Sequence, residues 1–372
     1  MTRSREIRGG IDSRRNFVHS STMLKPSRQA PARWLKLLRW PWWLLSPLTQ
    51  KHDFHANPVI GSHWLNRCGL HVLRLLIAHA VTRFRWWMLT PLMSPADRAV
   101  FHRDGFLVVR DVLTPAEFAA LRQEISGARG APRECIQGDT LTHRVLLDQA
   151  TLASLPVTRR LLGDPHITGP MRYAAAKNHL PLFYIQAIRN GVREAAPDPQ
   201  KNLHSDTFHP SMKAWFFLED VDSARGPFTY VPGSNRLSLA RIRWEYRRSI
   251  VAADLADGYS EKGSFRFEPR DLEALGLPPP RQLEVPANTL VIANTFGIHR
   301  RGPAMPGAAR LELWAYSRCN PFNPWPGLGL PWSHRADQAV LRFWWRHLDR
   351  KAARRGQLSS WHPITPEEFH RR

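Results

Sequence analysis

Cysteine is scarce: Cys68, Cys135 and Cys319 are the whole complement of a 372-residue chain. Odd in number and without C-x-x-C spacing, they exclude a disulfide framework and a zinc finger, and they suit a reducing compartment. Long uncharged apolar runs are missing as well. Arg74 interrupts the best candidate, so no segment reaches the ~18 residues that a membrane-spanning helix needs. There is no internal repeat and no glycine-rich phosphate loop, which removes repeat architectures and P-loop chemistry. Acidic residues are few, 31 against 53 Lys and Arg, leaving a formal net charge of +22. Such an excess attracts a polyanion, whether nucleic acid, an anionic membrane or a phosphorylated substrate. Sign alone does not choose among them.

With 43% hydrophobic residues the chain can bury a full core, and composition divides it into four parts. Residues 1–31, rich in Arg, Ser and Pro, read as a flexible basic arm. Ser13-Arg14-Arg15-Asn16-Phe17-Val18 resembles a twin-arginine export motif, but the charged, proline-containing stretch after it does not suit an export signal. Residues 32–93 form a basic, tryptophan-rich segment. Over residues 1–95, 15 Lys and Arg and seven Trp accompany three Asp and Glu. Leu73, Leu76, Ile77, Ala80 and Phe84 fall on one helical stripe, and Arg67, His71, Arg74 and Arg85 fall away from it. Such a helix suits the headgroup region of an anionic bilayer. It equally suits a cover for the core, with its apolar face inward and its arginines solvated.

Ser94-Pro95-Ala96-Asp97 predicts a helix start with Ser94 as cap, and Thr114-Pro115-Ala116-Glu117 has capping-box spacing. Short strands are predicted around Gly105–Val109, Leu182–Arg189, Lys213–Leu218, Leu283–Ile292, His299 and Leu311–Tyr316. Between them, Arg236, Arg241, Arg243, Arg247 and Arg248 interleave with Trp244 and Tyr246, a pattern that fits either an anion-binding insertion or a solvated helix. A last basic amphipathic helix is predicted over residues 336–355, around Leu341, Phe343, Trp344, Trp345 and Leu348, within a carboxy-terminal helix and tail of residues 331–372. Repeated short strands with helices at the ends predict a mainly β fold: a double-stranded β-helix (jelly-roll, cupin-like) core over residues 94–330 with flanking helices.

Leu203-His204-Ser205-Asp206 contains an H-x-D triplet. In a strand its two polar side chains share one face. His299, in a later alternating run, offers a third ligand, and two imidazoles with one carboxylate match the facial triad of non-haem Fe(II) oxygenases. His209 competes as a ligand, but its odd offset from His204 would turn it to the other face of a regular strand.

Phe101-His102-Arg103-Asp104-Gly105-Phe106, Leu182-Phe183-Tyr184-Ile185-Gln186, Gly226-Pro227-Phe228-Thr229-Tyr230-Val231-Pro232-Gly233-Ser234 and His299-Arg300-Arg301-Gly302 follow one another around the H-x-D. In this order and spacing the chain resembles the phytanoyl-CoA dioxygenase family of Fe(II)/2-oxoglutarate oxygenases, over roughly residues 96–325. Asn235 departs from it, since the family often has His after Pro-Gly-Ser. The resemblance implies Fe(II) on His204, Asp206 and His299, with 2-oxoglutarate and O2 as cosubstrates. It places Arg310 at the distal carboxylate of 2-oxoglutarate, a role that a permanently charged fork suits better than a lysine. The resemblance also implies that Tyr184 and Gln186, on the neighbouring strand before the loop, contact 2-oxoglutarate.

The expected reaction is hydroxylation of a C–H bond. The tryptophan-rich segment tilts the substrate toward an anionic amphiphile, a lipid headgroup or a lipid-linked sugar such as Kdo of lipid A. The expected location is cytoplasmic, peripheral on the inner face of the cytoplasmic membrane. A soluble hydroxylase of an acyl-CoA or small metabolite is the alternative, and a non-catalytic jelly-roll binding protein a third reading. A nucleic-acid substrate rests on charge alone and is not expected.

Overall fold

The computed structural model describes residues 40–370. The arm expected over residues 1–31 and the start of the tryptophan-rich segment lie outside them.

Alternating side chains build the centre of the molecule. An eight-stranded antiparallel sheet runs β1 (Phe106–Val109), β8 (Thr289–Asn294), β5 (Met212–Phe217), β10 (Ala309–Ser317), β4 (Leu182–Asn190), β3 (Thr140–Leu146), β2 (Pro132–Gln137) and β11 (His362–Pro363). A smaller sheet orders β7 (Arg281–Gln282), β6 (Phe228–Tyr230) and β9 (His299–Arg301). One face of the large sheet places Phe183, Ile185, Ala214, Phe216, Ile292 and Leu313 against helices, including α2 (Pro95–Asp104) and α3 (Pro115–Ser126), which contribute Phe101, Leu121 and Ile125. The other face places Tyr184, Trp215, Val291 and Trp314 against Phe228, Tyr230 and Leu283 of and around the small sheet. The Trp215 and Phe228 rings approach to 4.3 Å between centroids, so the two sheets close on each other as in a jelly roll.

Helix boundaries follow local chemistry. Ser94 caps α2 through Asp97 N, and Thr114 with Glu117 forms the capping box of α3. The hairpin of β2 and β3 was not expected; Pro132-Arg133-Glu134-Cys135 carries no alternation to mark it.

The largest departure concerns α1 (Leu70–Met88). Its apolar stripe is the exposed one: Leu73, Leu76, Ile77 and Phe84 face solvent, and Trp87 is 70% exposed. Arg74 and Arg85, 3% and 1% exposed, lie inside with His71 and His79. The arrangement with arginines solvated is therefore reversed. Arg74 donates to the backbone carbonyls of Pro47, Thr49 and Lys51 and lies 4.4 Å over the Phe208 ring. Arg85 donates to the carbonyls of Asn320 and Asn323. A guanidinium offers five donors in a rigid fork, and loop carbonyls with no ladder of their own accept them. Leu75 and Ala78 meet Phe208 and Phe296, and Trp86 packs against Phe101 and Tyr173. Arg74→Leu is expected to lower stability by ~1–3 kcal/mol, read as a drop in Tm, because the part-buried carbonyls of Pro47, Thr49 and Lys51 lose their donor.

The carboxy-terminal helix α5 (Pro331–Ala353) is longer than expected and buries only Ser333 and Gln338 among its residues. Phe343 and Trp344, read as part of an apolar face, are exposed.

Candidate metal centre

His204 and His299 are brought together by the backbone. They exchange both main-chain hydrogen bonds, each 2.9 Å, in an isolated antiparallel bridge beside β9. The H-x-D is thus one bridge in an irregular stretch, not part of the regular strand its spacing suggested. Asp206 is set by its own backbone, donating to Thr295 O at 3.0 Å.

The three side chains converge. One ligand atom from each of His204, Asp206 and His299 lies within 4.8 Å of the others. Both imidazole Nε2 atoms stand 3.7 Å from Asp206 Oδ1. Each Nδ1 is engaged elsewhere, with Asn202 O at 2.8 Å for His204 and Gly297 O at 2.9 Å for His299. A carbonyl at Nδ1 requires the proton there, so the lone pair sits on Nε2. Both Nε2 atoms are buried without a hydrogen-bond partner. This donor set fits a divalent cation.

Electrostatics agree. Burial, then the neighbouring His299 and Arg266, hold His204 well below the usual imidazole range; burial brings His299 down to about 4 against the pull of Asp206. Both are neutral near pH 7, as metal ligation requires. Burial alone would raise the Asp206 carboxyl, but the Lys213 ammonium reverses this and keeps it ionised. Lys213 Nζ lies 2.7 Å from Asp206 Oδ2. His209 makes its contact with Pro210 O at 3.0 Å and stands outside the cluster.

The cluster opens into a cavity of about 320 Å³ between the two sheets. Arg310 lines it, with Nε 3.0 Å from Glu312 and Nη1 donating to Gly226 O. Gln186 lines it too, but both ends of its amide are occupied. Arg144 Nε donates to Oε1 at 2.6 Å, and Gln186 Nε2 donates to Glu312 Oε1. Arg144, Gln186 and Glu312 sit opposite one another on β3, β4 and β10, so register builds this relay. Tyr184, two residues from Gln186 on β4, packs instead in tilted contact with the Trp314 and Trp345 rings and is not part of the wall.

Sequence reasoning passed over Lys213, Arg144, Arg301 and Arg318, all of which line the cavity. A signal existed for some. Arg310, Trp314 and Tyr316 share parity along β10, with Arg318 just past its end in the same alternation, and Lys213 and Trp215 share parity along β5, so knowing the inward face would have recovered them. Apart from Asp206, no wall residue is acidic. Burial lowers Arg144 to about 10, still a cation, with its guanidinium 3.8 Å over Trp314. The cavity is therefore a cationic chamber with one carboxylate at its metal end.

A closed pair of antiparallel sheets with two imidazoles and one carboxylate on its inner wall defines the facial-triad class of cupin-like folds. Residues 101–268 match the family described as Phytanoyl-CoA dioxygenase (PhyH). Similar curated proteins include an ectoine dioxygenase of Bordetella parapertussis, 26% identical over 170 residues that make up 40% of this chain and 53% of the relative. The Bordetella bronchiseptica ectoine dioxygenase is 25% identical with the same coverage. The chain thus spans about half the length of the curated relatives it matches. Among solved structures, the epimerase SnoN in complex with Fe3+, alpha ketoglutarate and nogalamycin RO is 20% identical at a TM-score of 0.40, covering 61% of this chain and 83% of that one. HygX of Streptomyces hygroscopicus with nickel and 2-oxoglutarate bound is 19% identical at a TM-score of 0.37, covering 61% and 87%.

Proposed function

We propose that the protein is an Fe(II)- and 2-oxoglutarate-dependent dioxygenase that hydroxylates a C–H bond of an anionic amphiphile at a membrane surface, a lipid or a lipid-linked sugar such as Kdo of lipid A. The convergence of His204, Asp206 and His299 at the end of a cationic cavity carries the catalytic part. Bound Fe(II), with 2-oxoglutarate and O2, supplies the oxidising power that turns C–H into C–OH while 2-oxoglutarate leaves as succinate and CO2. The chain's residues do the rest. Asn202 O and Gly297 O hold both imidazoles in the ligating tautomer, and Lys213 keeps Asp206 ionised and oriented. Arg310 takes the distal carboxylate of 2-oxoglutarate, held by Glu312 and Gly226 O so that little reordering is needed on binding. Arg300 and Arg318 provide positive charge toward an anionic substrate, while Arg301 is paired with the buried Asp198 at 2.6 Å.

Two features support action at a membrane. The exposed Leu73, Leu76, Ile77, Phe84 and Trp87 of α1 are accompanied by exposed Trp42, Leu44, Leu45 and Leu48, with Lys51, Arg67 and Arg83 also at the surface. Apolar anchors beside arginine and lysine suit an anionic bilayer. Tyr316 and Arg318 line both the metal cavity and an adjoining cleft bordered by Gln50 and by Val340 and Trp344 of α5, so exposed apolar residues border a path to the site. No helix among the described residues is long and apolar enough to cross a membrane.

Turnover is tested by O2-dependent succinate formation with lipid A precursors against soluble acyl-CoA and small metabolites. The surface is tested by replacing Leu76, Ile77 and Trp87 with Ser. Loss of sedimentation with anionic vesicles is expected, at unchanged Tm because these side chains already face water. Undiminished vesicle binding would move the reading to the alternative, a soluble hydroxylase of a small metabolite, toward which the name of the curated relatives points.

A further inference from the structure

A second cavity, of about 590 Å³, lies between α1 and the amino-terminal end of α4 (Leu239–Val251), and none of its wall residues belongs to the metal cavity. We infer that it is a binding site for a phosphate group carried on a hydroxyl-bearing body, separate from the metal centre.

Charge is the first reason. Arg83, Arg236 and Arg241 line the cavity and no carboxylate does. The second is a set of buried polar atoms that find no partner in the protein: Arg241 Nη1, Trp86 Nε1, His79 Nε2 and Asn235 Oδ1, all from wall residues. Arg241 and His79 are 2% and 7% exposed, so bulk water does not readily serve them. An orphaned buried donor costs ~1–3 kcal/mol, which a ligand oxygen would recover.

The guanidinium of Arg241 is held in place from behind. Its Nε and Nη2 engage Glu245 at 3.0 and 2.9 Å, and Glu245 is itself fixed by His71 at 2.8 Å. Glu245 offsets part of the Arg241 charge while leaving Nη1 free, and the exposed Arg83 and Arg236 restore the positive balance at the mouth. The first turn of α4 adds to this. Ser238 caps it through Arg241 N at 3.1 Å, and the helix end favours an anion.

The acceptors specify the rest of the ligand. Asn235 Nδ2 donates to the carbonyls of Phe101 and His102, which leaves Oδ1 as the unsatisfied end. His79 bonds the Phe208 backbone, and burial with Arg241 nearby brings it down to about 3, so its Nε2 is a lone pair. Donors for phosphate oxygens and acceptors for hydroxyls therefore share one chamber, larger than a phosphate alone would need. A glycerophosphate headgroup or a free phosphate ester would meet both demands.

The test is calorimetric titration of the full-length protein with sn-glycerol 3-phosphate and with monomeric short-chain phosphatidylglycerol. Saturable binding of at least one is expected, weakened about tenfold or more by Arg236→Glu and by Arg83→Glu. Both residues are exposed, so Tm and the anaerobic Fe(II)/2-oxoglutarate absorption should not change, and a response of the metal cavity is thereby separated. Tighter binding of the lipid form would identify a headgroup as the source, and tighter binding of the free ester a soluble metabolite. The inference is overturned if neither probe binds saturably, or if binding survives both charge reversals unchanged.

Discussion

His204→Ala is expected to abolish the visible absorption that Fe(II) and 2-oxoglutarate develop together in the absence of O2, and to cut succinate formation on the order of a thousandfold or more. The substitution removes one of three converging ligands. It leaves Asp206 paired with Lys213 at 2.7 Å, so no buried charge is orphaned and Tm should stay near the parent value. That makes it a cleaner probe than Asp206→Ala, which would strand the Lys213 ammonium and cost ~3–5 kcal/mol for reasons unrelated to metal. His299→Ala should repeat the result. If folded His204→Ala kept the full absorption, the ion would lie elsewhere and the jelly roll would be better read as a binding scaffold.

Arg310→Ala is expected to raise the 2-oxoglutarate concentration needed for half-saturation ~100-fold or more, at the scale of a lost buried charge-assisted pair. It should also destabilise the fold by ~3–5 kcal/mol, because Glu312 is fully buried and would lose its 3.0 Å cation. The two effects can be parted with Arg310→Met combined with Glu312→Gln. This pair removes both charges but keeps an acceptor for Gln186 Nε2, so most of the stability should return while 2-oxoglutarate binding stays weak. Recovery of tight 2-oxoglutarate binding in the double variant would show that another wall arginine, Arg144 or Arg318, holds the distal carboxylate.

The legible parts share a cause. Capping signals at Ser94 and Thr114 act within one turn, and the alternation of β4, β5 and β10 acts within one strand. The triad was readable for another reason. His204 and Asp206 are two positions apart, and ordered motifs around them pointed to His299. Lys213 and Arg318 become legible only once the inward face of β5 and β10 is known, and Arg144 and Arg301 reach the cavity through cross-strand register.

From sequence alone came the mainly β class and the excess of positive charge, while the expected core of residues 94–330 leaves out β11 (His362–Pro363), which tertiary pairing with β2 adds to the large sheet. Tertiary structure alone decided which way α1 faces. Periodicity reports which side chains share a stripe, and a hydrophobic stripe normally turns inward because burial removes apolar area from water. Here loop carbonyls at Pro47, Thr49, Lys51, Asn320 and Asn323 accept from Arg74 and Arg85, so the cationic face turns inward and leucine, phenylalanine and tryptophan meet the solvent. Those carbonyls come from segments far from α1 in the chain, and no local pattern within α1 could announce them.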